Sequence, residues 1–268
     1  KVGGRLVSLS GEKVFPQETE ALISAIYEMA DRDMAEFRRV IGAAFEPEFR
    51  FLESLPHVID TEHYVFVHGG LPEGGHEDWD GWKCMKNDNF LGQGRSFDRW
   101  VIVGHWPVTL YGTDTVCANP IIERERKIIS IDGGCVLKDD GQLNALVIPY
   151  NGSEDFGFEY YDPFPRRRVK SAQRGSEESV YIRWGDNLVR ILERGPEFSR
   201  CVHVRTGREL DILTKYLYGE EGEVRCNDCT DYVLPLEAGD EVSVVETTSR
   251  GYFVKHNGVS GWYGGELL

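Results

Sequence analysis

Tyr64-Val-Phe-Val-His68-Gly69-Gly70 and Trp100-Val-Ile-Val-Gly104-His105 are the two stretches from which the fold of this chain is read. Each is a short run of β-branched and aromatic residues, the composition of a strand buried on both faces. Each delivers a histidine flanked by glycine. Each is followed by a loop in which proline fixes the exit, Leu71-Pro72 in one case and Trp106-Pro107 in the other. In open α/β sheets ligands collect outside the carboxyl ends of the strands. Two imidazoles held there, where backbone can approach closely, form a natural half of a metal site. The spacing predicts His68 and His105 as its ligands; the acidic ligands that would complete it are not evident in the sequence.

The bulk composition narrows the partners. The 268 residues carry a formal net charge of −15, with a pI near 4.9, which leaves no broad basic face for nucleic acid. The one basic run, Arg166-Arg167-Arg168, reads as solvated linker charge. A protein this acidic must supply positive charge locally to handle an anionic substrate, and bound metal would do so. No apolar run reaches the roughly 18 residues of a membrane span, and no apolar segment of the signal-peptide type follows Lys1-Val-Gly-Gly-Arg5. Of the six cysteines, Cys84, Cys117 and Cys135 stand singly in apolar or turn contexts, which fits reduced thiols and a cytoplasmic setting.

Residues 16–54 read as helical. Pro16 opens an amphipathic stretch with Leu22, Ile23, Ile26 and Met29 inward. Asp31 is the N-cap of a second stretch carrying Met34, Phe37, Val40 and Ile41, and Pro47 starts a short third helix with Phe49, Phe51 and Leu52. After Pro56 the pattern changes to strands at Val58-Ile59, 64–67, 100–104, 127–131 and 143–148. Helices first and strands afterwards indicate a mixed α/β sandwich over residues 1–150. Residues 151–178 read as a surface linker. From Val180 onward, turn signals at Asp186-Asn187, Gly195-Pro196, Thr206-Gly207, Gly239-Asp240 and Asn257-Gly258 separate short strands, so 179–268 is expected to form one or two small β-barrels. His57, His63, His76 and His256 read as ordinary core or surface histidines.

Phe66-Val-His68-Gly-Gly-Leu-Pro72, Val103-Gly-His105-Trp-Pro107 and Ile131-Asp-Gly-Gly134, in this order and at these gaps, resemble the latter half of the calcineurin-like metallophosphoesterases. Bacterial serine/threonine phosphoprotein phosphatases are the nearest likeness, and it spans about residues 45–150. What the resemblance implies is an αββα sandwich of which this chain holds the C-terminal half. It also implies a dinuclear site for divalent ions, manganese first, with iron or zinc as alternatives. Two such ions about 3.5–4 Å apart clamp a phosphate for in-line displacement. The implied substrate is a phosphorylated protein or a small phosphomonoester. His68 and His105 would then be the histidine ligands of the second metal, and Asp132 a structural group rather than a direct ligand. Many relatives carry Trp-x-Arg where this chain has Trp82-Lys83. Lys83 or Lys86 would serve there as a point charge toward phosphate, without the bidentate fork of arginine.

The family's front motifs, G-D-x-H-G, G-D-x-x-D-R-G and G-N-H-E or G-N-H-D, are not in this sequence, and Gly11-Glu12 does not replace them. The helices at 16–54 match what normally follows the third motif. The expectation is therefore a chain that begins downstream of it, with the catalytic residues upstream of Lys1 and no activity in isolation. A non-catalytic phosphatase-like scaffold and a dinucleoside polyphosphate hydrolase, which shares these motifs, are the alternatives.

The segment Leu236-Glu-Ala-Gly239-Asp240, Arg250-Gly-Tyr-Phe-Val254 and Gly261-Trp262-Tyr-Gly-Gly resembles a Src-homology-3-like barrel over about 225–268. Tyr232, Tyr252 and Trp262 would line its groove for a peptide partner. Gly264 and Glu266 stand where that family has its proline and tyrosine, which favours a structural or intramolecular role over a proline-rich ligand. Cys201-x-His203 and Cys226-x-x-Cys229 together offer a tetrahedral zinc set. The absence of a second C-x-x-C favours the plainer reading, that the cysteines flank the Asn227-Asp228 turn.

Overall fold

The computed structural model describes residues 34–135, 137–220 and 222–268. The expected helix from Pro16 and the Asp31 cap lie outside the described residues. Two compact units divide at Pro56. In the first, α1 (Met34–Ala44) and α2 (Glu46–Ser54) are the two helices among the described residues, and Pro47 stands at the opening of α2 as predicted. Phe37, Val40 and Ile41 are half-buried, whereas Met34, Phe51 and Leu52 are exposed.

The second unit, His57–Leu268, opens with β1 (Val58–Asp60), β2 (Tyr64–Val67), β3 (Trp100–Val103), β4 (Val116–Cys117), β5 (Ile121–Glu123) and β6 (Ile128–Ser130). Five of these make one sheet in the order β1-β2-β3-β6-β5. Its three central strands are parallel, with Phe66 opposite Ile102 and Ile102 opposite Ile129. The flanking pairs β1–β2 and β5–β6 are antiparallel. The short helix α3 (Gly81–Met85) lies in the connection from β2 to β3.

The central strands are buried on both faces, as their unbroken apolar runs require. Val65, Val67, Val101, Val103 and Ile128 point to one side, packed with Leu71, Cys84 and Phe90. Tyr64, Trp100, Ile102 and Ile129 point to the other with Phe156. The Trp100 and Phe156 rings meet edge to face at 4.7 Å, and the buried Tyr64 hydroxyl donates to the Ser153 carbonyl at 2.8 Å.

Residues 151–178 are not a featureless linker. β7 (Leu143–Val147) forms a hairpin with β8 (Gly157–Tyr161), and β9 (Arg166–Arg168) is a strand whose three arginines are exposed. The hairpin turns Asn144 and Leu146 inward and leaves Leu143 and Val147 in water. Asn144 takes the inner position because its amide donates to the carbonyls of Ala118 and Ile131.

The tail contains β10 (Tyr181–Ile182), β11 (Val189–Glu193), β12 (Phe198–His203), β13 (Glu209–Leu213), β14 (Leu217–Tyr218), β15 (Arg225–Cys226), β16 (Cys229–Thr230), β17 (Glu241–Thr248), β18 (Gly251–His256) and β19 (Val259–Tyr263). The fold is thus mixed α/β, rich in strands, with several small sheets. Among the described residues none of the tail sheets closes into a barrel, contrary to expectation. The largest runs β4-β19-β18-β17-β9 and takes its two outer strands from earlier in the chain. Asn257-Gly258 makes the β18–β19 turn with both residues at positive φ, 50° and 78°, the hairpin geometry that this pair favours.

The groove expected from Tyr232, Tyr252 and Trp262 does not form. Tyr252 pairs with Tyr263 and Trp262 with Phe253, so strand alternation puts Tyr252 and Trp262 on opposite faces. Trp262 instead packs on Phe253 and Phe198 and donates from its indole to the Thr230 carbonyl. No helix among the described residues is long and apolar enough to cross a membrane.

Ile129 is fully buried in the central strand β6, and Ile59 on β1 is 53% exposed. Urea denaturation should show Ile129→Ala losing about 2–5 kcal/mol and Ile59→Ala staying within about 0.5 kcal/mol of the parent.

Candidate functional site

The three parallel strands end together, and each releases a polar side chain at the same edge: His68 after β2, His105 after β3 and Asp132 after β6. Their ends are bonded to one another. Gly104 N–H donates to the His68 carbonyl at 2.8 Å, and Val108 N–H to the Asp132 carbonyl at 2.8 Å. The His68 and His105 rings lie 5.1 Å apart between centroids. The two histidines that the sequence singled out therefore lie side by side. His105 sits in the left-handed region, at φ 64°, a conformation that few residues besides glycine adopt, histidine being among the more tolerant with Asn and Asp.

Gly69 brings a further element to this edge. Its N–H bonds the Cys84 carbonyl at 2.8 Å, and a Cβ at Gly69 would stand 2.9 Å from the Met85 carbonyl oxygen. Only glycine allows the end of α3 to pack so closely on the strand end. The chain then passes His105 before Phe90 anchors it in the core, where the ring is fully buried.

Asp88 is the residue that motif reasoning missed. Its Oδ1 lies 2.8 Å from His105 Nε2, and Lys86 Nζ is 3.0 Å from the same carboxylate oxygen and 3.3 Å from Nε2. A carboxylate only accepts, so in this contact His105 Nε2 donates, which in the neutral ring leaves the lone pair on Nδ1. This is the arrangement in which a carboxylate fixes the tautomer of a ligating histidine. The hydrogen bonds from Lys86 and then His105 hold the Asp88 carboxyl below the usual carboxylate range. Nothing in the spacing marked Asp88, because its approach to His105 depends on the close packing of α3 that Gly69 admits.

Asp132 caps the following turn, accepting from Gly134 N–H at 2.9 Å. Lys83 is exposed on α3, and its backbone N–H donates to the Asp80 cap; of the two lysines considered, Lys86 is the one beside His105. His68 is exposed at its tip, yet burial of its inner side, and then the neighbouring His105, lower its pKa from the ordinary 6.5, opposed by the charge of Asp132.

The fit to a metal is partial. Two imidazoles suit a borderline divalent ion, but among the described residues no three His, Cys, Asp or Glu side chains come together closely enough to hold one. The tail's zinc set does not assemble. His203 uses Nδ1 toward the Thr206 hydroxyl and Nε2 toward the Asp186 carbonyl, both at 3.0 Å. Cys226 and Cys229 do approach, with sulfurs 3.8 Å apart. Their hydrogen bond and burial keep the Cys229 thiol well above its ordinary pKa, and burial pushes Cys201 up to about 11.

Comparison with protein-family models, curated proteins and solved structures finds no match.

Two measurements check this geometry. The depressed His68 stays neutral where the unfolded chain takes a proton, so the unfolded state binds more protons below about pH 6.5. Stability should fall as pH drops through that window and level off once folded His68 protonates, and His68→Gln should flatten the profile. Nitrogen NMR should find neutral His105 protonated on Nε2, a preference that Asp88→Asn weakens.

Proposed function

We propose that this chain carries the second-metal half of a metallophosphoesterase centre and belongs to a phosphomonoester hydrolase of the serine/threonine phosphatase type. The observation that carries the reading is the convergence of His68 and His105 on adjacent parallel strand ends, with their rings 5.1 Å apart. The family's motif order predicts this pairing. Asp88 supports it further by leaving His105 Nδ1 free to ligate.

In this reading His68 and His105 hold one divalent ion, manganese first, and Asp132 stays in its turn. A bound ion would supply Lewis acidity and the positive charge that an anionic phosphoester needs. Lys86 adds a cation at the same edge, within reach of His105. The second ion's ligands and the general acid belong to motifs this sequence does not contain. The tail, an open sheet assembly, serves as a Src-homology-3-like structural module. The six thiols are free, which suits a reducing cytoplasm.

Titration with manganese, followed by electron paramagnetic resonance, should detect one weakly held ion, lost in both His68→Ala and His105→Ala. Hydrolysis of p-nitrophenyl phosphate with manganese should stay at background. Binding that survives both substitutions would sink the ligand assignment. Turnover near that of complete enzymes would sink the claim that ligands are lacking.

A further inference from the structure

A cleft of about 460 Å³ opens beside His105 and runs between the strand-end loops and the tail. Its near mouth holds Lys86 and Asp88, already paired with each other. Its floor holds Lys138, paired with Asp228 and bonded to the Tyr181 hydroxyl. Both cations of the cleft are thus satisfied by acids within it.

Two features exposed to solvent stand out in the cleft. Trp184 meets Trp106 in a T-shaped contact at 5.8 Å and 75°, and 63% of its surface is left open. Asp139 lines the same cleft, is exposed, and has no ion-pair partner among the described residues. An exposed indole and a carboxylate without an ion-pair partner, lining one cleft, attract a cation, and a planar, weakly hydrated guanidinium suits both better than an ammonium does. The volume exceeds that of one guanidinium, leaving room for neighbouring residues of an extended chain, and the exposed Asn227 side chain stands along it as a polar contact.

We infer that this cleft binds an arginine-bearing peptide segment, its guanidinium stacked on Trp184 and paired with Asp139, beside the strand-end histidines. That the peptide also carries a phosphorylated residue toward His105 rests on the function proposed above; the arginine seat does not.

Fluorescence anisotropy of the intact chain with labelled seven-residue Gly/Ser peptides tests both parts. A single central arginine should bind at least about tenfold more tightly than citrulline, which keeps the shape and removes the charge. Trp184→Ala and Asp139→Asn should each weaken the arginine peptide roughly three- to tenfold, while Trp184→Phe retains part of the binding. Both positions are exposed, and circular dichroism will confirm that the variants fold. Equal binding of arginine and citrulline, a preference for glutamate, or variants that bind like the parent would overturn the inference. A phosphoserine added two residues from the arginine should tighten binding when manganese is present. Arginine preference without that gain would count against the phosphatase reading alone.

Discussion

The parallel pairing of β2, β3 and β6 sets Phe66 against Ile102 and Val103 against Ser130, and from there the next residues of each strand, His68, Gly104 and Ile131, come level. A slip of one residue would turn Val101 and Val103 out of one core cluster and into the other. Each buried aliphatic side chain contributes about 1.5–3 kcal/mol, so several would have to be lost together. The chemistry at the edge is thereby specified by groups that take no part in it. His68 and His105 need no attraction for each other, and two imidazoles offer little; the sheet delivers them.

The same comparison of magnitudes applies to the loop that carries Asp88. Lys86 and Asp88 are about half exposed, and ion pairs of that kind are worth about 0–1 kcal/mol. Holding His105 at positive φ costs about 1–3 kcal/mol. The charged trio therefore does not offset that cost alone. Phe90, packed beneath Gly70, and the backbone contact of Gly69 with Cys84 place the loop, and the ion pairs then settle the tautomer and orientation of a ring already in position.

How much of this could be read in the sequence follows from the range of each interaction. The buried strands were legible because an unbroken Val/Ile/Trp run has few other fates, and the two strand-end histidines followed from them. The Asn257-Gly258 turn was legible for an equally local reason. Asp88 was not, since its role depends on a glycine 19 positions earlier admitting the end of α3. The strand at 166–168 was hidden because three arginines carry no strand pattern, and only pairing with β17 makes them one; Gly157-Phe-Glu-Tyr-Tyr161, with its aromatics, was legible as a strand but was read as part of the linker. The tail groove failed on parity: residues 252 and 262 look like neighbours in a list of aromatics, yet register assigns them to opposite faces.

The tail strands complete the sheet begun by earlier residues. β19 pairs with β4 through Val259–Cys117 and Ser260–Val116, and β17 pairs with β9. Tyr181 N–H bonds the Thr113 carbonyl, and Arg183 reaches the Gly112 carbonyl at 2.9 Å. Lys138, with only 7% of its side chain exposed, has its counter-charge in Asp228. Burial draws its pKa down to about 8, so at neutral pH it is still charged and depends on that carboxylate. A partly buried charge left without its partner costs roughly 3–5 kcal/mol. The tail thus meets the parallel-strand region through shared sheet strands, the cleft lining and the Lys138–Asp228 ion pair. A barrel hung on a flexible linker would leave the site indifferent to its loss, whereas here the wall of the cleft, the floor charge and two strand pairings would go together.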